Sequence, residues 1–211
     1  MPRTLGFALS LTFLSLLGTN AFADSFEEEL AILEERLRLT PGMAVADLGA
    51  GKGAYAVALA ERVGPEGRVF ATELDDERLE TLREKKQEAG LTQLEIVPGA
   101  FDGTALAPSS VDGALLRDVY HHVTAPEPFV QSIYETLRPG ARIVVVDFPP
   151  TFWLALWTPE GIPESRGGHG IEASLLISEF EAAGFRRVEV IEPWPSSNFV
   201  TKTYAVVFER P

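Results

Sequence analysis

The nine residues Val45-Ala46-Asp47-Leu48-Gly49-Ala50-Gly51-Lys52-Gly53 restrict what this chain can fold into more than any other stretch. An apolar run broken only by Asp47 ends in three alternate glycines and passes directly into Ala54-Tyr55-Ala56-Val57-Ala58-Leu59-Ala60. That order predicts a buried strand, a tight turn and the start of a helix. Glycine has no Cβ, so the turn takes positive φ and lets a ligand lie against bare backbone, close to the free N–H groups that open a helix. Two other uses of such a turn stay open. One is plain strand–helix packing, and the other is the looser dinucleotide fingerprint, which Gly49-x-Gly51-x-x-Ala54 also meets.

The flanking sequence supplies the context. Phe26, Leu30, Leu33 and Leu37 recur at helical spacing, with Glu27, Glu28, Glu29, Glu34 and Glu35 read as the solvated side and Ser25 as the cap. Met43 to Leu48 is the central strand, and the helix after the glycines runs to Val63, where Gly64-Pro65-Glu66-Gly67 stops it. A second strand covers Arg68 to Glu73. Its last residue falls about twenty positions beyond the glycines, where doubly wound folds place a carboxylate that accepts ribose hydroxyls. Asp75 caps a charged helix with Leu79 and Leu82 facing inward, and Leu94 to Val97 form a third strand.

Val111 to Asp118 is the fourth strand, and Ile143 to Phe148 is a continuous β-branched fifth, suited to burial on both faces. Between them lies a helix with Phe129, Ile133 and Leu137 on one side. Residues 149–170, with Phe152, Trp153, Trp157 and four prolines, break the rhythm and are read as a lid-like insertion over a substrate site. A partner-facing or membrane-facing loop is the alternative. Leu175, Leu176 and Phe180 mark a last helix, and Phe185–Ile191 and Val200–Phe208 form a final pair of strands whose helix-free connection makes them antiparallel.

Asp47-x-Gly49-x-Gly51-x-Gly53, the Val111–Asp118 block and Leu137-Arg138-Pro139-Gly140 before the fifth strand together resemble the class I S-adenosylmethionine-dependent methyltransferases. The Asp118-x-Tyr120-His121-His122 form is similar to a bacterial subgroup of them. The likeness spans about residues 25 to 210. It implies an α/β fold: a three-layer α-β-α sandwich with a seven-stranded, mostly parallel sheet and an antiparallel last strand, built from five strand-to-helix steps in one domain, 24–211. It also implies S-adenosyl-L-methionine as cofactor. In that reading the amides of Gly49, Gly51 and Gly53 face the methionine portion, Asp47 holds its ammonium, Glu73 takes both ribose hydroxyls, Leu74 packs on adenine and Asp118 lines the methionyl arm. The acidic position near the adenine amino group falls on Ala100 or Asp102, and Phe101 either stacks on the base or belongs to the core.

Methyl transfer needs orientation above all, so no signature catalytic residue is required. The base candidates are the three histidines, His121, His122 and His169, with loop-shaping hydrogen bonds as the other reading of each. A metal site is not expected, because adjacent histidines diverge and only one more exists. Two rival functions remain. A nicotinamide-dependent NAD(P) oxidoreductase shares the glycines but not the antiparallel final hairpin, and a non-catalytic exported binding module retains the fold without the reaction.

Composition narrows the partners. Eighteen Lys and Arg against thirty-one Asp and Glu give a net charge of −13, which argues against nucleic acid and for a small-molecule partner, in the family resemblance a methyl acceptor. The absence of cysteine excludes disulfides, thiolate metal sites and a thiol nucleophile. Arg3, the apolar run Leu5 to Leu17 and Ala21-Phe22-Ala23 predict a secretory signal peptide over residues 1–23, hence an exported, periplasmic protein. An uncleaved membrane anchor is the alternative.

Overall fold

The computed structural model describes residues 25–150, 170–195 and 202–211. The proposed signal, His169 and nearly all of the lid-like insertion lie outside the described residues. Helix α1 (residues 25–37) precedes β1 (Ala44–Leu48), α2 (Ala54–Val63), β2 (Arg68–Glu73), α3 (Asp76–Glu88) and β3 (Leu94–Pro98). The second half holds β4 (Val111–Arg117), a single 3-10 turn (Tyr120–His122), α4 (Pro126–Thr136), β5 (Leu137–Asp147), α5 (Ala173–Ala182), β6 (Arg186–Ile191) and β7 (Tyr204–Glu209).

The seven strands form one sheet in the order β3-β2-β1-β4-β5-β7-β6. Strands β1 to β5 pair in parallel, and β7 lies antiparallel between β5 and β6. Sequence alternation explains the two cores. Val45, Leu115, Val144, Val146, Ala205 and Val207 point to the face covered by α1, α2 and Leu82 of α3. Ala46, Leu116, Ile143, Val145, Val206 and Phe208 point to the other, beneath α4 and α5. A strand buried on both faces has no polar side to show, which is why β5 reads as an unbroken β-branched run.

Local chemistry sets the helix ends. The Asp75 carboxylate accepts the Arg78 N–H at 2.9 Å, and α3 carries Asp76 and Glu77 in its first turn and Lys85 and Lys86 in its last, as the helix dipole favours. Pro126 opens α4, where its missing N–H costs nothing. The edge strand β6 is guarded by charge: Arg36 binds Glu189 at 2.6 Å and Arg187 lies 3.5 Å from Glu181.

Four details correct the expectations. Ser25 is already helical rather than a cap. No helix connects β3 to β4, so one of the five strand-to-helix steps is a loop crossing. Strand β5 begins at Leu137, because Leu137 pairs with Val111 across a bulge and Gly140 donates to the Arg210 carbonyl at 2.7 Å. Strand β7 begins at Tyr204 rather than at Val200. Strand order reverses between β1 and β4, and a crevice opens beyond their carboxyl ends.

Candidate active site

The crevice is a cavity of about 620 Å³ that the glycine turn, the ends of β2 and β4 and the loop after β3 enclose. Gly49, Gly51 and Gly53 all adopt left-handed backbone, with φ of 74°, 56° and 80°. Their neighbours differ. A Cβ on Gly49 would lie 2.6 Å from Val119 Cγ2 and one on Gly53 2.4 Å from Leu82 Cδ2, whereas one on Gly51 would meet nothing within 4 Å. Two of the glycines therefore serve close packing, and Gly51 alone borders open space.

The expectation that the three amides face a ligand is corrected. The Gly49 N–H donates to Thr72 Oγ1 at 3.3 Å, Gly51 to Glu73 Oε2 at 2.9 Å and Gly53 to the Ala50 carbonyl at 2.8 Å. These bonds close the turn and tie it to β2. Glu73 also accepts from Leu74 N–H at 2.7 Å and Asp75 N–H at 3.1 Å, both through Oε1, with Arg78 Nη1 at 3.7 Å from Oε2. Three of a carboxylate's roughly four acceptor positions are thus filled, leaving about one for a ligand hydroxyl where two were expected.

Leu74, Gly99, Ala100 and Thr104 continue this wall, Leu74 being half exposed. Phe101 does not join them. Ala100 bridges to Gly103 in a tight turn whose tip, Phe101-Asp102, is thrown outward, and Phe101 is 79% exposed. Neither base stacking nor a core role fits that placement.

The opposite wall is built from side chains. Asp47 is 3% exposed, and its Oδ2 has no hydrogen-bond partner among the described residues. Burial pushes its carboxyl up to about 7, against the pull of the Ala56 amide and the Arg117 charge and with a further push from Glu73. Arg117, closing β4, donates from Nε and Nη2 to Glu29 at 3.0 and 3.2 Å and from Nη1 to Asp118. The Tyr55 hydroxyl also donates to Glu29, and the Arg117 guanidinium lies 5.0 Å from the Tyr55 ring centre. Burial works against the Arg117 cation, but the Glu29 hydrogen bonds and the Asp118 charge outweigh it and hold the group above its ordinary range. Burial raises the Tyr55 hydroxyl, and it raises Asp118 against the opposing pull of Arg117. Asp118 itself sits at φ 55°.

Glu29 is the residue that sequence reading misplaced. The run of glutamates reads as a solvated face, yet Glu29 is 2% exposed. The signal was there: three positions after Phe26 and four before Leu33, it falls on the apolar side of α1.

The adjacent histidines part company. His121 is buried, with Nδ1 2.8 Å from Asp147 Oδ1, while its backbone N–H donates to Asp147 Oδ2 at 3.1 Å. Its ring packs against Phe148 at 4.8 Å and His122 at 4.0 Å between centroids, and it does not reach the cavity. His122 is exposed and lines the cavity. His169 lies outside the described residues, and among those residues no group of three metal-ligating side chains assembles.

Comparison with known proteins agrees with this geometry. Residues 46–145 match the methyltransferase domain family. The ubiquinone/menaquinone biosynthesis C-methyltransferase UbiE of Klebsiella pneumoniae is 30% identical over 108 residues, which is 51% of this chain and 43% of that protein. The matched stretch thus spans less than half the length of such curated relatives. Among solved structures, a SAM-dependent methyltransferase from Aquifex aeolicus superposes with a TM-score of 0.69 at 22% identity, covering 87% of this chain and 89% of that one. Geranyl diphosphate C-methyltransferase from Streptomyces coelicolor, solved with S-adenosyl-L-homocysteine, gives 0.72 at 12% identity over 88% and 80% of the two chains. Both have the fold described above, and the stretch that matches the methyltransferase domain family holds the strands that build the crevice.

Proposed function

We propose that the protein transfers a methyl group from S-adenosylmethionine to a small-molecule acceptor lying beside His122. One observation carries the reading: Asp47 Oδ2 is buried at the cavity wall without a partner among the described residues. A buried, unsatisfied carboxylate is costly unless a ligand answers it, and an ammonium does so. The rest of the cavity fits the same cofactor. Glu73 has a vacant acceptor position for a ribose hydroxyl, Leu74 and Ala100 offer an apolar edge to adenine, and the open space over Gly51 admits an amino-acid arm.

When bound, this cofactor supplies an electrophilic methyl group with a neutral thioether as leaving group. The chain contributes alignment, which is worth about 7–11 kcal/mol of barrier, whereas a general base adds about 10²–10⁴-fold. His122 is suited to accept the acceptor's proton, since its imidazole lies at the cavity wall. Asp147 grips the backbone and ring of His121 and so fixes the turn that presents His122, which makes His121 a positioning residue. The names of UbiE and of the geranyl diphosphate enzyme, both C-methyltransferases of small molecules, support an acceptor of that class.

Thermal melting of the full chain with S-adenosylhomocysteine and, separately, with NAD tests the reading. A rise with the homocysteine compound is expected, and a rise with NAD alone overturns it. We also propose that residues 1–23 are a secretory signal. Expression in a bacterial host followed by intact-mass measurement should find a periplasmic chain beginning at residue 24, and an uncleaved cytosolic chain overturns that assignment.

A further inference from the structure

The two ends of the cavity carry unlike charge. At the ribose end, Glu73 is answered by three N–H donors and by Arg78. At the other end Asp47, Asp118 and Glu29 set three carboxylates against the single guanidinium of Arg117. That cation is already divided: two of its nitrogens face Glu29 and the third faces Asp118. Nothing described reaches Asp47 Oδ2, which is buried. Asp118 keeps one oxygen on Arg117, while its other takes no hydrogen bond from any described residue. Burial holds both aspartates above the usual carboxylate range, as negative charge without enough counter-charge requires.

We propose that this end of the cavity selects its occupant by charge, binding the sulfonium-bearing donor in preference to the neutral thioether that remains after transfer, with Asp118 as the discriminating residue. The inference rests on the S-adenosylmethionine reading above and adds to it a means of product release. In the transfer the bond from sulfur to the methyl carbon breaks with its electron pair left on sulfur, a bond from the acceptor to that carbon forms, and the acceptor's proton passes to His122 or to solvent. The positive charge therefore leaves the sulfur at the moment of reaction and departs as the proton, to solvent directly or by way of the exposed His122. Ammonium is common to donor and product, so Asp47, which answers it, does not tell them apart. Glu29 lies behind Arg117 and Tyr55. Asp118, with its side chain 40% exposed at the cavity wall, is the carboxylate left to sense the second charge.

Calorimetry on the full chain with two probes tests this: S-adenosylhomocysteine, and sinefungin, which carries a protonated amine where the donor has its sulfonium and transfers no methyl group. The wild type should bind sinefungin at least about tenfold more tightly. Asp118→Asn should shrink the ratio to within about threefold while leaving the homocysteine compound within about twofold, since asparagine tolerates left-handed backbone. Asp47→Asn should weaken both probes alike. Equal wild-type affinities overturn the proposal without any variant, as does an Asp118→Asn protein that loses both probes equally or a ratio lost only in Asp47→Asn. A wild type that binds neither probe overturns the methyltransferase reading itself, whereas equal binding of both leaves that reading standing.

Discussion

Glu73 and Asp47 end neighbouring strands 26 positions apart, and the protein treats them in opposite ways. Glu73 accepts from the backbone N–H groups of Gly51, Leu74 and Asp75, so its wall is held by backbone with one acceptor position to spare. Asp47 is left with an oxygen that no described residue answers, and the wall beyond it depends on Glu29 reaching Arg117 across 88 positions of chain. One end is finished by local backbone. The other is held together by long-range side chains and is left unsatisfied where a ligand is needed, which places stability and binding in conflict there.

The largest expected effect exploits that conflict. The carboxyl of Asp47 ordinarily titrates near 3.8 but is pushed up to about 7 in the fold. The folded state thus holds the proton more tightly than the unfolded chain, so stability falls as pH rises through that window, by up to about 4 kcal/mol. Asp47→Asn should remove the penalty. Urea unfolding is expected to show the variant more stable at pH 8 and indistinguishable at pH 4, while its affinity for S-adenosylhomocysteine drops; a variant destabilised at pH 8 would erase the contrast between the two ends. Next in size is Glu29→Ala, which leaves Arg117 partly buried without its main partner and should cost about 3 kcal/mol, read by the same unfolding curves.

Glu73→Gln should go the other way from Asp47→Asn. Putting an amide where three N–H groups converge leaves at least one unanswered and costs about 2 kcal/mol. Stabilisation there would mean that the ribose end is no better satisfied than its counterpart. The smallest effect on folding belongs to Gly51→Ala. It has only its left-handed φ to strain, at about 1 kcal/mol, because its Cβ enters open space. That space is the cavity, so affinity for S-adenosylhomocysteine should fall while the melting temperature barely moves.

The same division explains what was legible in the sequence. The glycine turn, Glu73 and the Asp75 cap are local features whose spacing is set by strand and helix geometry, and the sheet with its reversed last strand follows from the order of such blocks. Glu29 escaped because five glutamates in one helix read as a solvated face, and only Arg117, itself an odd charge at the end of an apolar strand, shows why one of them turns inward. Phe101 misled for a related reason: composition announces an aromatic, but the Ala100–Gly103 bridge decides which way its turn faces. Histidines 121 and 122 looked equivalent until Asp147 captured the first.

The placement of β7 reaches beyond the site. It follows β6 in the chain yet lies inboard of it, and among the described residues β6 has no other neighbour in the sheet. A polypeptide leaving the ribosome therefore has no sheet partner for β6 until Tyr204 to Glu209 has been made. The outer edge of the sheet is thus set by the later of two consecutive strands, and β6 docks only through it.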